Sequence, residues 1–127
     1  MVFTLRRLIP LLIAPVALAA CGGGSSEPAE TVPAGALVVT AVPSLRFDAE
    51  SYGPVKAGEI TFGYVNEDSV RHTLILAKDG TKVANFKLAI QQKGSVDSGA
   101  VTLEAGTYEL ICDVPGHSNM KATLVVE

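Results

Sequence analysis

The side chains best suited to bind a soft metal ion lie mostly in one short segment of the sequence. Cys112, His117 and Met120 fall close together, and His72 opens an earlier apolar run. One thiolate, two imidazoles and a weak thioether form the ligand set that holds copper in a trigonal site with a long axial bond, a geometry that suits both Cu(I) and Cu(II). The residue types and their spacing therefore predict a copper centre.

Each of the four side chains also has a purely structural interpretation. A single buried cysteine is usually a small core hydrophobe, a histidine at the start of a strand is often a hydrogen-bonded polar residue, and Met120 could fill space between two sheets. After residue 21, however, these four are the only cysteine, histidine and methionine residues in the sequence. A copper centre explains all four together, whereas a metal-free domain must explain each one separately.

Length and composition exclude several classes of protein. The chain has 127 residues and a formal net charge of −3, with 10 Lys and Arg against 13 Asp and Glu. This length fits one small domain, and the acidic balance argues against a nucleic-acid partner, because binding to phosphates requires a basic surface. Two cysteines are also too few for a disulfide scaffold in so short a chain.

The N-terminal residues have the composition of an export signal. Two arginines precede an apolar run from Leu8 to Ala20, which is shorter than the ~20 residues that a membrane-spanning helix needs. The run ends in Leu18-Ala19-Ala20-Cys21, which resembles the bacterial lipobox, where cleavage precedes a cysteine that then carries lipid. We therefore expect residues 1–20 to be a lipoprotein signal peptide and Cys21 to anchor the protein to a membrane, facing the periplasm or the cell surface. An ordinary export signal with an incidental cysteine is the alternative.

The segment after Cys21 cannot form a core of its own. It is rich in glycine and serine at its start and in proline and alanine later, a composition typical of flexible spacers. We expect residues 21–36 to comprise the lipidated cysteine and a flexible linker, and residues 37–127 to form the folded domain.

The periodicity of the folded part is that of short strands. Glycine-containing turn signals such as Asp79-Gly80 and Ala105-Gly106 separate most of them. About eight short strands without a helical period predict an all-β sandwich or barrel. The expected strands run from Leu37 to Val42, Leu45 to Ala49, Glu59 to Val65, His72 to Ala77, Val83 to Ile90, Ala100 to Leu103, Thr107 to Cys112 and Lys121 to Val126.

The sequence resembles the cupredoxins, the blue copper proteins that include azurin, plastocyanin and amicyanin, over roughly Phe47 to Glu127. The motifs that carry the resemblance are Gly106-Thr107-Tyr108, Cys112, Pro115-Gly116-His117 and Met120, together with the segment from Val65 to His72. The spacing from Cys112 to His117 equals that of azurin, and the spacing from His117 to Met120 equals that of amicyanin. The resemblance implies a Greek-key β-sandwich in which Tyr108 closes a corner. Strand alternation then places Tyr108, Leu110 and Cys112 on the core face.

The same resemblance implies the arrangement of the site. One copper ion per chain would be bound by His72, Cys112 and His117 in a plane and by Met120 on the axis. The backbone carbonyl of Arg71 would make a weak contact opposite Met120. Thr73 and Asp113 stand where the family usually has Asn and Ser or Thr, so that the surroundings of the ligands should differ from those of other members.

The function implied is one-electron transfer without catalysis of a substrate reaction. We expect a monomer that meets redox protein partners through an apolar collar around His117, made by Val70, Val114 and Pro115. Docking on an acidic loop at Glu67 and Asp68 is the alternative surface. Delivery or buffering of copper for a membrane oxidase is the alternative function, although delivery sites usually have more methionine and histidine residues than this chain offers.

Overall fold

The computed structural model describes residues 31–127, and all of their regular elements are β-strands. The predicted signal peptide, Cys21 and most of the predicted linker lie outside the described residues. Within the described part, no helix is long and apolar enough to cross a membrane.

Residues 31–127 contain ten strands, and two of them, β2 and β6, are only two residues long. The expected all-β class is confirmed. The strands are β1 (Leu37–Val42), β2 (Arg46–Phe47), β3 (Ser51–Val55), β4 (Gly58–Asn66), β5 (His72–Lys78), β6 (Thr81–Lys82), β7 (Leu88–Ile90), β8 (Val96–Leu103), β9 (Gly106–Ile111) and β10 (Lys121–Val126).

The strands are arranged in two sheets that enclose the core. One sheet has the order β2-β1-β4-β8, and the other has the order β3-β10-β9-β5-β6, with β7 also paired to β5. Two pairs, β1 with β4 and β3 with β10, are parallel, and the others are antiparallel. Side chains buried between the sheets include Val39, Phe62, Tyr64, Leu76, Leu110 and Leu124.

Several strands differ from those expected. β3 was not among the expected strands, and its proline is tolerated because β3 is an edge strand and needs no amide hydrogen on its outer side. Of the expected strand from Leu45 to Ala49, only Arg46–Phe47 is a strand. The run from Val83 to Ile90 is a strand only at Leu88–Ile90, and β8 begins at Val96 rather than Ala100.

The segment before β1 packs on the outer face of the four-stranded sheet. A Cβ atom added at Gly63 in β4 would overlap a methyl group of Val32. Glycine at position 63 therefore leaves the space that Val32 occupies, and this contact holds the chain against the sheet before the first strand begins.

Strand direction places the predicted ligands at one end of the sandwich. β5 runs antiparallel to β9, with Ile75 opposite Ile111, so the first residue of β5 lies beside the end of β9. The amide of Cys112 donates to the carbonyl of Met120 at 3.4 Å, which brings the chain from β9 back into β10. Tyr108 closes its corner as expected, because its hydroxyl donates to the Glu104 carbonyl at 2.9 Å.

Candidate metal centre

His72, Cys112 and His117 converge where β5 begins and β9 ends. Their ligating atoms all lie within 4.8 Å of one another. The Sγ atom of Cys112 is 3.5 Å from Nδ1 of His117, and the two imidazole centroids are 5.0 Å apart. The structure therefore brings together three side chains that the sequence places in two distant segments.

The hydrogen bonds of His72 show which of its nitrogens faces the centre. The ring is 1% exposed, and Nε2 lies 2.9 Å from Oδ2 of Asp68. Nδ1 is buried and has no hydrogen-bond partner among the described residues. An unpaired buried nitrogen is costly, and a metal ion bound at Nδ1 would satisfy it. Together with the soft Cys112 sulfur, this lone pair makes the donor set fit copper.

Asp68 is a functional residue that the sequence interpretation missed. It was expected to be part of an exposed acidic loop, but it is 7% exposed and its carboxylate is turned inward to His72. Burial alone would favour the neutral carboxyl group, but hydrogen bonds from His72 and from the Ser69 amide outweigh it, so the pKa of Asp68 lies below its ordinary value. Only Glu67 of the proposed acidic pair remains exposed.

The turn before His72 is built on a buried amide side chain. Asn66 is 1% exposed; its Nδ2 donates to the Val70 carbonyl at 2.8 Å, and its Oδ1 accepts from the Asp68 amide at 2.9 Å. These two bonds close the loop between β4 and β5. Asn66 thus fixes the position from which Asp68 reaches the imidazole of His72.

Cys112 is buried as the strand alternation predicted. It is 2% exposed, whereas Glu109, Ile111 and Asp113 are more accessible. The backbone amide of Thr73 donates to Sγ at 3.4 Å. A thiolate that is buried and accepts a hydrogen bond is shielded from oxidants in solvent.

The segment between Cys112 and Met120 forms two successive turns. The His117 amide donates to the Val114 carbonyl at 3.0 Å, and the Met120 amide donates to the His117 carbonyl at 2.9 Å. Gly116 has φ +87°, a left-handed conformation that favours glycine. The compact loop directs the His117 imidazole toward Cys112.

The protonation of His117 also suits metal binding. Burial lowers the pKa of this imidazole below its ordinary value, and the nearby His72 lowers it further. The neutral ring, which carries a free lone pair, is therefore favoured. Neutral imidazole is the form that binds metal ions.

Met120 is completely buried and belongs to the hydrophobic core that also contains Cys112. It ends the loop and directly precedes β10, as the sequence predicted. Its axial ligation stays a prediction.

The residues expected to form the docking collar are partly at the surface. Val70 is 41% exposed, Pro115 is exposed, and Val114 is half-buried against the core. Arg71, beside His72, is also exposed. The three collar residues are therefore accessible in part, and the polar residues Ser118 and Asn119, which follow His117, are exposed as well.

Comparison with known proteins agrees with this geometry. Residues 36–127 match the model of the copper-binding proteins of the plastocyanin/azurin family. No curated protein matches the chain in a sequence search.

Solved structures similar to this one include two auracyanins, one of them described as a blue copper protein, and an amicyanin. Auracyanin from Roseiflexus castenholzii is 17% identical, with a TM-score of 0.59 over 71% of this chain and 94% of that chain. Auracyanin A from Chloroflexus aurantiacus is 22% identical, with a TM-score of 0.59, and the match covers 72% of this chain and 98% of that chain. A reduced amicyanin variant is 27% identical, with a TM-score of 0.54, and the match covers 76% of this chain and 86% of that chain. The chain therefore belongs to the plastocyanin/azurin family of copper-binding proteins, the cupredoxins, and copper is its cofactor.

Proposed function

We propose that this protein is a one-electron carrier whose type 1 copper centre is held by His72, Cys112 and His117, with Met120 as the axial ligand. The observation that carries the proposal is the buried Nδ1 of His72, which has no protein partner in the described residues and faces the same small volume as the other two ligand atoms. The backbone carbonyl of Arg71, which directly precedes His72, would be a further weak donor to the copper ion. No substrate is transformed.

Rigidity of the site favours electron transfer over delivery of copper. His72 and Cys112 are nearly inaccessible. Independently of the metal, Asp68 accepts a hydrogen bond from His72, and the Thr73 amide donates one to the Cys112 sulfur. A site that keeps one geometry needs little rearrangement when copper changes its oxidation state. A delivery site, in contrast, must let another protein reach its ligands, and these ligands are largely covered by the fold.

We propose that electrons pass to and from a docked partner at the collar of Val70, Val114 and Pro115 beside His117. Of the three ligands that converge, only His117 is partly accessible to solvent. Contacts between redox proteins tend to bury less than ~1,200 Å², because the partners must separate after each transfer. A small apolar patch next to the accessible ligand suits such a contact with a redox protein, and the protein would act as a monomer.

We expect the substitution Val70→Glu to slow electron exchange with a redox partner by about tenfold. An unpaired charge buried at the contact costs more than the 1.4 kcal/mol that corresponds to this factor. The measurement is the second-order rate constant by stopped flow, with the visible spectrum recorded in parallel.

The matched control for this substitution is Val38→Glu. Val38 is 44% exposed on β1, so it has nearly the same accessibility as Val70 but lies on a different surface. The control should leave the rate unchanged, and neither variant should change the spectrum. Equal rates for wild type and Val70→Glu, combined with slower exchange in Glu67→Lys, would place docking on the acidic residue before His72 instead.

The proposed location of this carrier is at a membrane outside the cytoplasm, through lipid attached to Cys21. The lipobox-like sequence that ends at Cys21 supports the proposal. Expression of the full chain in a bacterial host should place it in the membrane fraction, because buried methylenes of the acyl chains contribute ~0.8 kcal/mol each. Cys21→Ala should move the protein out of that fraction. If wild type and Cys21→Ala were found in the same fraction, the proposal of lipid attachment at Cys21 would be wrong.

A further inference from the structure

The hydroxyl group of Thr73 lies between two acceptors at the copper centre. Its Oγ1 is 2.5 Å from Oδ1 of Asp113 and 3.6 Å from Sγ of Cys112. A threonine hydroxyl has only one proton to donate. The short contact to an ionised carboxylate is the stronger of the two, so the proton points to Asp113 and away from the sulfur.

Two further contacts hold Asp113 in this position. Its backbone amide donates to Oγ1 of Thr73 at 2.9 Å, and Nζ of Lys87 donates to its Oδ2 at 3.1 Å. Together with the contact between Oγ1 of Thr73 and Oδ1, these contacts keep the carboxylate oriented toward Thr73.

Hydrogen bonds to the sulfur ligand are one of the features that set the reduction potential of such a copper site. Each one withdraws electron density from the thiolate, which weakens its donation to Cu(II) and so favours Cu(I). Here the amide of Thr73 donates to the sulfur, whereas the hydroxyl of the same residue donates to Asp113. The Thr73 hydroxyl is thus close enough to the sulfur to form a second hydrogen bond, but it donates its single proton to Asp113 instead.

We propose that Asp113, held by Lys87, lowers the reduction potential of the copper centre by keeping the Thr73 hydroxyl proton away from the Cys112 sulfur. This inference rests on the proposed copper site and assigns a determinant of its potential. The effect has two parts: the negative charge of Asp113, and the missing hydrogen bond to Cys112.

Two substitutions at position 113 separate these parts. Asp113→Asn removes the charge but keeps an acceptor for the Thr73 hydroxyl, whereas Asp113→Ala removes both and frees the hydroxyl to turn to the sulfur. We expect both variants to have a higher potential than wild type, with Asp113→Ala favouring Cu(I) about tenfold more than Asp113→Asn. For one electron, this factor corresponds to about 59 mV. The sulfur-to-copper charge-transfer band should move to higher energy in Asp113→Ala.

The control is the same pair of substitutions in a Thr73→Val background. Valine has nearly the shape of threonine but no hydroxyl group, so the difference between Asn and Ala at position 113 should disappear there. A difference of the same size in both backgrounds, or none in either, would overturn the proposal. A wild-type protein that binds Cu(II) without a charge-transfer band would instead contradict the proposed copper site itself.

A measurement without copper tests the same arrangement first in the wild-type protein. In the metal-free wild-type protein, the Thr73 hydroxyl proton should exchange slowly with water and give a resolved NMR signal, because it is donated to Asp113. Asp113→Asn should retain this signal. A Thr73 hydroxyl proton that exchanges too fast to be observed in metal-free wild type would show that Asp113 does not hold it, and the proposal would be wrong.

Discussion

Cys112→Ser is expected to abolish the intense visible absorption of the Cu(II)-loaded protein. This absorption arises from charge transfer between the cysteine thiolate and Cu(II), and a serine oxygen cannot supply it. The buried position of Cys112 beside Nδ1 of His117 makes it the sulfur that can form a short bond to the ion. The measurement is a titration of the purified protein with one equivalent of Cu(II), followed by its visible spectrum.

Unlike Cys112→Ser, the substitution Met120→Leu should leave the visible absorption of the Cu(II)-loaded protein in place. Because a thioether on the axis stabilises Cu(II) more than Cu(I), its removal should raise the reduction potential. Leucine fills a similar volume in the core, so the fold is expected to tolerate it. An unchanged potential would mean that Met120 only packs, and a colourless wild-type protein would contradict a type 1 site.

Asp68→Ala is expected to weaken copper binding by about 10–100-fold, a range typical of lost carboxylate partners of metal-binding histidines. In wild type the carboxylate accepts the Nε2 proton of His72, which leaves Nδ1 as the lone pair for the metal. Without Asp68 the imidazole has no partner to fix its orientation or its tautomer. The measurement is competition for Cu(I) and Cu(II) against a chelator of known affinity.

The neighbouring residue provides the control for this prediction. Glu67→Ala removes the same charge from the adjacent position, but Glu67 is exposed and should leave copper affinity nearly unchanged. Asp68→Asn should recover part of the loss, because an amide oxygen can still accept from Nε2. If Glu67→Ala weakened binding as much as Asp68→Ala, the effect would be one of total charge rather than of His72 orientation.

Local sequence patterns predicted the part of the site that lies on one segment. Alternation along β9 placed Tyr108, Leu110 and Cys112 on the same face, and all three are buried. The loop after Cys112 is short, so His117 had to remain near it. His72 was found because of its residue type and its place in the resemblance to the cupredoxins.

The partners of the ligands could not be predicted in the same way. Asp68 looked like an exposed charge, because nothing local shows that Asn66 turns the loop inward and buries the carboxylate. Lys87 lies in a stretch expected to be a strand, yet its important contact is with Asp113, which is distant in sequence. Such contacts depend on the pairing of remote strands and have no periodic signature.

From the location of β10 within its sheet we expect this protein to acquire its metal late in biosynthesis. β10 pairs with β3 at Ser51 and Thr123 and also with β9, although it follows every other strand in chain order. The pairing with β3, unlike the pairing with the adjacent β9, joins segments that are distant in sequence and forms slowly, because a long loop must close first. A ribosome that has made β5 and β9 has therefore supplied His72 and Cys112 without the strand that completes their sheet. Metal uptake should then follow synthesis of the whole chain, because the copper site is completed only when β10 has joined the sheet.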